Sequence, residues 1–278
     1  MDLEETLADS KDPATAFRYF WLLFRREAFE AAPVEREGET VPLCLLDNLY
    51  LESQDYAREL GESLKARVFE EVFPHLAKGF VHSLRETKGK NVDLSQDALD
   101  AIFRGTLTLL YRLLFLLYAE SRDLLPVREV RGYWAAGLTR MKREIGEAAG
   151  PIADEVEKKI AKHYSEARYG LYDGLSRLFS VVDKGEAALN VPFHNGGLFL
   201  SDPPDDDDSP EAEAARFLRD TKVPDRQLAV ALDLLARDID RKRQDHVFID
   251  YKSLDLRQLG SIYESSATFS SVASTAWT

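Results

Sequence analysis

Three residues in the C-terminal third match a spacing that can support metal-dependent hydrolysis. Pro224-Asp225 is followed by Asp250-Tyr251-Lys252, a pattern in which two carboxylates bind magnesium and the lysine helps to activate the attacking water. That chemistry needs both carboxylates on neighbouring strands, whereas Asp225 is predicted to open a helix. A small magnesium-dependent DNA nuclease that uses Asp225, Asp250 and Lys252 therefore stays open as an alternative function.

The motifs of common cofactor and catalytic sites do not occur in the sequence. It has no Gly-x-Gly-x-x-Gly or Walker-type phosphate loop, no Gly-x-Ser-x-Gly elbow and no His-Glu-x-x-His pair. His75 and His82 are spaced to share a helix face, but about 10.5 Å of helical rise separates them. The four aspartates of residues 205–208 lack the alternating ligands of a calcium loop. Apart from the nuclease alternative, we assign no catalytic, cofactor-binding or metal-binding residue.

The charge balance argues against nucleic-acid binding driven by overall charge. The 278 residues include 49 acidic and 36 basic ones, a formal net charge of −13, and such a field repels polyphosphate. The lone cysteine, Cys44, cannot form an internal disulfide, and no apolar signal segment follows Met1. We expect a cytoplasmic protein.

Hydrophobic periodicity predicts a mainly α fold, a multi-helix bundle with a few short strands or extended segments in the C-terminal third. Pro74 is expected to kink or divide one helix, and Ser95 to cap the core helix that ends by Pro126. Residues 41–51 are compatible with an extended segment or a loose helix, and residues 247–250 with a short strand. Helices are predicted at residues 14–29, 55–85, 95–126, 135–149, 152–178, 211–220 and 225–238.

The most apolar segment, residues 107–119, is predicted to be a buried core helix. It is too short to span a bilayer, which takes roughly 20 apolar residues, and Arg112 lies at its centre. We therefore expect no membrane partner. Because burying an unpaired guanidinium is unfavourable, we expect Arg112 to reach the surface or to pair with a carboxylate across the bundle.

A change in composition after Ala188 predicts the division of the chain. Residues 1–188 are predicted to form a helical bundle and residues 189–264 a loop-rich helical extension. The extension contains the acidic run at 205–208 among prolines and glycines, which is typical of an irregular surface loop. Residues 265–278 carry no charge and are predicted to be a disordered tail.

Four segments, taken in order, resemble one protein family. Over roughly residues 14–264 their order and spacing resemble the type IIG restriction–modification enzymes and related phage-defence methyltransferases. These are large single chains that join an endonuclease to an adenine-N6 DNA methyltransferase. The segments are Phe20-Trp21-Leu22-Leu23-Phe24-Arg25, the Leu-Leu-Tyr-Arg-Leu-Leu-Phe-Leu-Leu-Tyr-Ala-Glu-Ser core within residues 107–125, Asn195-Gly196-Gly197-Leu198-Phe199, and Ile249-Asp250-Tyr251 followed by Leu259-Gly260-Ser261-Ile262-Tyr263-Glu264.

The resemblance implies that the chain is a helical connector, or scaffold, between the nuclease and methyltransferase domains, non-catalytic as it stands. DNA, S-adenosylmethionine and magnesium would then be bound by the complete enzyme. The family's Gly-rich cofactor segment and its Asn/Asp-Pro-Pro-Tyr/Phe motif for a flipped adenine are missing. The nearest match, Asp202-Pro203-Pro204-Asp205, lacks the aromatic residue. Because residues 265–278 depart from the family's pattern, we expect a truncated or excised product of such a gene; the oligomeric state is left open.

The resemblance also implies roles for individual residues. Asn195-Gly196-Gly197 is expected to supply positive-φ positions for a tight turn, anchored by Phe193, Leu198 and Phe199, or else to contact DNA directly. A basic cluster is expected either to contact phosphates in the complete enzyme or to form a solvated face; it comprises Arg128, Arg131, Arg140, Lys142 and Arg143. The residues with expected structural roles are Arg112, Tyr118, Glu120, Asn195, Gly196, Gly197, Asp250, Tyr251, Leu259, Gly260, Ser261, Tyr263 and Glu264.

Overall fold

The protein is mainly α, a multi-helix bundle with short two-stranded sheets, so the predicted fold class is confirmed. A computed structural model describes residues 13–36, 38–89, 95–128, 132–152, 154–193, 196–240, 245–255, 257–258, 260–262 and 264. The tail predicted at 265–278 lies outside these residues. The helices are α1 Pro13–Phe24, α2 Leu45–Arg67, α3 Phe73–Lys88, α4 Gln96–Ser121, α5 Leu138–Ala149, α6 Val156–His163, α7 Gly170–Lys184, α8 Pro210–Asp220 and α9 Asp225–Ala236.

Within the described part of the chain, two antiparallel strand pairs lie between the helices. β1 (Ala32–Arg36) pairs with β2 (Glu39–Leu43), and β3 (Arg237–Ile239) pairs with β4 (His246–Phe248). The second pair lies in the C-terminal third, where strands were expected; the first pair was not predicted. Within residues 41–51, the first three belong to β2 and residues 45–51 to the start of α2. Pro42 is tolerated in β2 because it lies opposite Pro33 in a sheet of only two strands, both of which are edge strands.

The contacts divide the chain into two compact units, Met1–Leu60 and Gly61–Thr278. The boundary predicted after Ala188 falls inside the second unit. In the first unit an ion pair between Arg36 and Asp55 links β1 to α2. Its helix α1 ends earlier than predicted, at Phe24, and leaves the side chain of Trp21 about half exposed.

Helix α9 lies at the centre of the second unit. Its buried face includes Leu228, Leu232 and Leu235, and it packs against α3, α5, α6 and α7. Helix α4 packs against α3, α5 and α8. These two apolar helices supply much of the buried surface that stabilises the bundle.

Two predicted helix boundaries are explained by single residues. Before Pro74 the chain forms a π-helix, Val68–Val72, and α3 then begins with the proline in its first turn. The interruption expected at Pro74 is therefore a change in hydrogen bonding, because the backbone keeps right-handed helical dihedral angles from α2 into α3. Ser95 accepts a hydrogen bond from the backbone N–H of Ala98 at 3.4 Å and caps α4, as predicted.

Among the described residues, α4 is the helix that is long and apolar enough to cross a membrane, by length and composition alone. The most apolar 18-residue window of this helix is 56% buried inside the protein. The helix also buries two charged side chains, Arg112 and Glu120. Burial of this kind is typical of a core helix in a bundle.

Candidate functional site

Arg112 connects α4 to the segment that follows α7. Its Nε donates a hydrogen bond of 2.7 Å to the carbonyl of Leu198, and its Nη2 one of 2.9 Å to the carbonyl of Leu200. The expected partner across the bundle is therefore present, but it is a pair of backbone carbonyls and not a carboxylate. Leu198 lies in the short 3₁₀ turn Gly197–Phe199, and Leu200 directly follows it. The last carbonyls of so short a turn have no partner within the turn, so they can accept hydrogen bonds from Arg112.

Aromatic rings enclose the Arg112 guanidinium. Its Cζ lies 5.1 Å from the ring centroid of Phe179 and 6.0 Å from that of Phe199. The Phe199 ring in turn contacts Phe115 and Phe179, with centroids 5.2 Å and 5.9 Å away. Burial lowers the pKa of Arg112 to about 10, against the opposing influence of Tyr172 and Asp183. The group thus remains a cation at neutral pH.

The glycines of the Asn195-Gly196-Gly197 segment do not use positive φ. Gly196 is extended, with φ −131°, and Gly197 is not among the described positive-φ residues. The expectation of a positive-φ turn at these two glycines is wrong, because the chain enters a 3₁₀ turn instead; Asn195 lies outside the described residues. Phe199 anchors the turn as expected, whereas Phe193 is 64% exposed and does not.

Glu120 holds the start of α5. Its carboxylate accepts hydrogen bonds from Tyr133 Oη at 2.8 Å and from the Leu138 N–H at 2.7 Å. It also accepts bonds from the N–H and hydroxyl of Thr139, at 2.6 and 2.5 Å. Burial, and then the adjacent Glu120 charge, raise the pKa of the Tyr133 hydroxyl. A carboxylate in this position satisfies N–H groups that have no partner within the helix.

Arg122, which lies over the ring of Tyr118, and Tyr251 each form a hydrogen bond between elements of the second unit. The Arg122 guanidinium lies 5.3 Å from the Tyr118 ring centroid and donates a hydrogen bond of 3.0 Å to the Leu254 carbonyl. Tyr251 is buried and donates a hydrogen bond of 2.8 Å to the Leu235 carbonyl. These contacts tie the C-terminal segment to α4 and α9.

The final resembling segment is described only in part. Gly260 and Ser261 are helical, and Ser261 donates a hydrogen bond of 2.8 Å to the Gln258 carbonyl. Glu264 is exposed. Leu259 and Tyr263 lie outside the described residues.

The structure places the candidate nuclease carboxylates at opposite ends of α9. Asp225 accepts a hydrogen bond of 2.8 Å from the Leu171 N–H and so caps the start of α7. Asp250 follows Ile249, whose N–H donates to the carbonyl of Ala236 at 2.9 Å. The twelve residues of Asp225–Ala236 span eleven steps of helical rise, or about 16 Å.

In this arrangement one magnesium ion cannot bind both carboxylates. The Asp250 carboxylate instead accepts hydrogen bonds from the Lys252 N–H at 3.0 Å and the Ser253 hydroxyl at 2.9 Å. Among the described residues, no group of three or more His, Cys, Asp or Glu residues is arranged to hold a metal. The helix predicted to start at Asp225 is present, and it separates the two acids.

The basic cluster does not form one uniform surface. Arg128 forms an ion pair with Asp123 at 2.7 Å, and Arg140 one with Glu144 at 2.5 Å. Lys142 lies over the Phe248 ring, and burial lowers its pKa. Arg143 lies over the Trp134 ring, with Cζ 4.9 Å from the centroid. Arg131 lies outside the described residues, and phosphate contact by this cluster stays a prediction.

A cavity of about 250 Å³ lies beside the Arg112 contacts. The sequence patterns did not indicate it, because its walls come from α4, α7, α8 and two connecting segments that are distant in sequence. No short spacing or motif joins them. The lining residues are Arg112, Tyr172, Asp173, Ser176, Phe179, Leu200, Ser201, Ala215, Leu218, Arg219 and Lys222.

No family model, curated protein or solved structure matches the chain in the comparisons with known proteins. The functional interpretation therefore depends on the contacts described above and on the resemblance carried by the four segments.

Proposed function

We propose that the chain is the helical connector of a type IIG-like restriction–modification enzyme and acts there as a non-catalytic scaffold. In this proposal it keeps an endonuclease and an adenine-N6 DNA methyltransferase at a fixed separation, and DNA is a partner of the complete enzyme. The observation that carries the proposal concerns the two buried charged residues of the Leu-rich segment and the groups to which they form hydrogen bonds. Arg112 and Glu120 both engage backbone groups of other elements.

A scaffold needs interactions that fix one element against another, and the resembling residues supply them. Arg112 joins α4 to the turn that contains Leu198, Glu120 joins α4 to α5, and Tyr251 joins the C-terminal segment to α9. In each case the acceptor or donor on the other side is a main-chain group. Buried hydrogen bonds of this kind define one arrangement of the helices, because losing a partner leaves a buried polar group unsatisfied.

The segment whose sequence most resembles an adenine-binding motif, residues 202–205, does not fit that role. In a methyltransferase the prolyl carbonyl and the preceding side chain hold the amino group of the flipped base. Here the side chain of Asp202 lies 3.7 Å from the Lys184 ammonium, and the carbonyl of the second proline, Pro204, accepts a hydrogen bond of 3.1 Å from Arg216. We derive no methyl-transfer step from this segment, and S-adenosylmethionine and magnesium are assigned to the complete enzyme alone.

Incubation of the purified chain with duplex DNA distinguishes the scaffold from the nuclease alternative. With magnesium and S-adenosylmethionine present, the scaffold predicts neither strand cleavage nor transfer of a labelled methyl group. Magnesium-dependent cleavage that is lost in Asp250→Ala would overturn the scaffold proposal in favour of the nuclease. Asp245→Ala, a nearby acid outside the pattern, is the matched control.

A further inference from the structure

The cavity beside Arg112 has the features of a small-molecule site. Its volume of about 250 Å³ corresponds to roughly eight water molecules at liquid density. It is smaller than most cofactor sites, which begin near ~300 Å³. The residues at its mouth, Asp173 and Lys222, are about half exposed, so the cavity opens to solvent. A compact organic molecule fits this space.

The inner wall of the cavity carries a buried cation. Arg112 is only 4% exposed and contributes to the lining. Its two hydrogen bonds to carbonyls engage two of the five N–H donors of a guanidinium. Among the described residues Arg112 forms no ion pair, and the nearby Asp183 carboxylate instead accepts hydrogen bonds from the N–H and hydroxyl of Ser201.

The charges at the mouth largely compensate one another. Lys222 Nζ lies 2.8 Å from Asp173 Oδ1. Arg219 Nε lies 3.0 Å from Asp220 Oδ1, and the charges of Asp202 and Asp205 also act on Arg219. Of the described cations that line the cavity, Arg112 forms no ion pair, and the charge of Asp183 acts on it without a direct contact. An entering molecule meets the strongest electrostatic attraction if it carries its negative charge to the inner end.

The remaining walls are suited to an apolar body. The rings of Phe179 and Tyr172 and the side chains of Leu200 and Leu218 line the space. Tyr172 Oη donates a hydrogen bond of 2.7 Å to the Leu218 carbonyl, so its ring and not its hydroxyl is available to a ligand. An anionic group at one end and a flat or aliphatic group at the other match this lining.

We infer that the cavity beside Arg112 binds a small organic anion, whose carboxylate or phosphate group meets the Arg112 guanidinium and whose apolar part packs against Phe179 and Leu218. The inference depends on contacts within the second unit and not on the proposed connector function, so either can fail without the other.

Isothermal titration calorimetry of the full chain tests this inference with four matched aromatic probes. Benzoate and phenyl phosphate carry the two candidate anionic groups, benzyl alcohol is neutral and benzylamine is cationic. We expect the better of the two anions to bind at least about tenfold more tightly than the neutral and cationic probes. The ratio between benzoate and phenyl phosphate identifies which anionic group the site prefers.

A variant at the cavity wall separates binding in the cavity from binding elsewhere. Ser176 lies on the exposed side of α7 and lines the cavity, so Ser176→Trp fills the space without removing Arg112. We expect this variant to weaken anion binding by about tenfold or more and Ser176→Ala to stay within about twofold of the wild type. Equal affinities for all four probes, no detectable binding of either anion, or anion affinity unchanged in Ser176→Trp would each overturn the inference.

Discussion

The Nε of Arg112 lies 2.7 Å from the carbonyl oxygen of Leu198, a residue 86 positions further along the chain. This hydrogen bond joins two of the four segments that carry the family resemblance, the Leu-rich helix and the Gly-Gly-Leu-Phe turn. It therefore gives one physical reason for both segments to occur together. Arg112 therefore holds the turn at Leu198 in place and also forms part of the inner wall of the cavity.

Replacing Arg112 with lysine should destabilise the fold although the charge is kept. Lysine cannot reproduce the fork that reaches two carbonyls or the flat contact with Phe179. Hydrogen bonds from charged groups contribute about 1.5–3 kcal/mol each, so we expect the free energy of unfolding to fall by about 2 kcal/mol in urea titrations.

Arg104→Lys is the matched control for that change, because Arg104 lies on the same helix in a half-exposed ion pair with Glu213. It should change the free energy of unfolding by less than about 0.5 kcal/mol. Equal effects of the two substitutions would show that the buried contacts of Arg112 do not stabilise the bundle.

Glu120→Gln should destabilise α5 while leaving the size of the side chain almost unchanged. In the wild-type protein the N–H groups of Leu138 and Thr139 donate to the Glu120 carboxylate. The NH₂ group of a glutamine amide would place a second donor against these N–H groups. We expect a loss of about 2–3 kcal/mol in the free energy of unfolding. Glu144→Gln, in an exposed pair with Arg140, is the control; a Glu120→Gln protein as stable as that control would refute the capping role.

Gly105→Ala tests the close packing of α4 against α8. A Cβ atom at Gly105 would lie 2.2 Å from Cδ1 of Phe217, so the ring or the helix has to move. Alanine is the better helix former by about 1 kcal/mol, but overpacking costs about 1–3 kcal/mol, and we expect a lower melting temperature. At Gly170 the nearest atom would be Asp225 Oδ2 at 3.6 Å, so Gly170→Ala should not lower it; a Gly105→Ala protein that melts no lower than wild type contradicts the packing.

Two histidines should make the fold less stable in mild acid. Burial lowers the pKa of His75, although Glu157 at 3.5 Å opposes the shift, and burial followed by the Arg237 charge lowers that of His246. The unfolded chain therefore binds more protons than the folded one as the pH falls through about 6.5, and the free energy of unfolding decreases there.

Urea titrations between about pH 7.5 and pH 5.5 measure this effect, in a window where histidine changes its charge. The double variant His75→Gln/His246→Gln should show a flatter dependence on pH than the wild-type protein. An equally steep decline in both proteins would assign the acid sensitivity to other groups.

Much of the fold follows from local signals in the sequence. Ser95 predicts the start of α4 because a serine hydroxyl satisfies a free N–H group, and Pro74 predicts a division because proline lacks the N–H that a helix interior needs. The short β3 strand was missed, since residues 225–238 continue an apolar pattern. It forms because Arg237 and Ile239 pair with Phe248 and His246 across the connection of residues 240–245, and the apolar pattern of the helix does not indicate where that pairing begins.

The site was less predictable than the fold. That Arg112 needs a partner follows from its position in an apolar helix, but the identity of that partner depends on where the turn at Leu198 packs. A local pattern contains no such information. The cavity is harder still, because Tyr172, Leu200 and Leu218 lie on three separate elements and none belongs to a recognisable motif.

The position of DNA cleavage by a chimeric enzyme tests the proposed scaffold function most directly. In the chimera, residues 14–264 replace the segment between the nuclease and methyltransferase domains of a type IIG enzyme, and methylation of the recognition sequence confirms that the remaining domains are folded. The scaffold proposal predicts that the methylating chimera cuts at one fixed distance from that sequence. A chimera that methylates DNA normally but cuts at scattered positions, or does not cut, would contradict it.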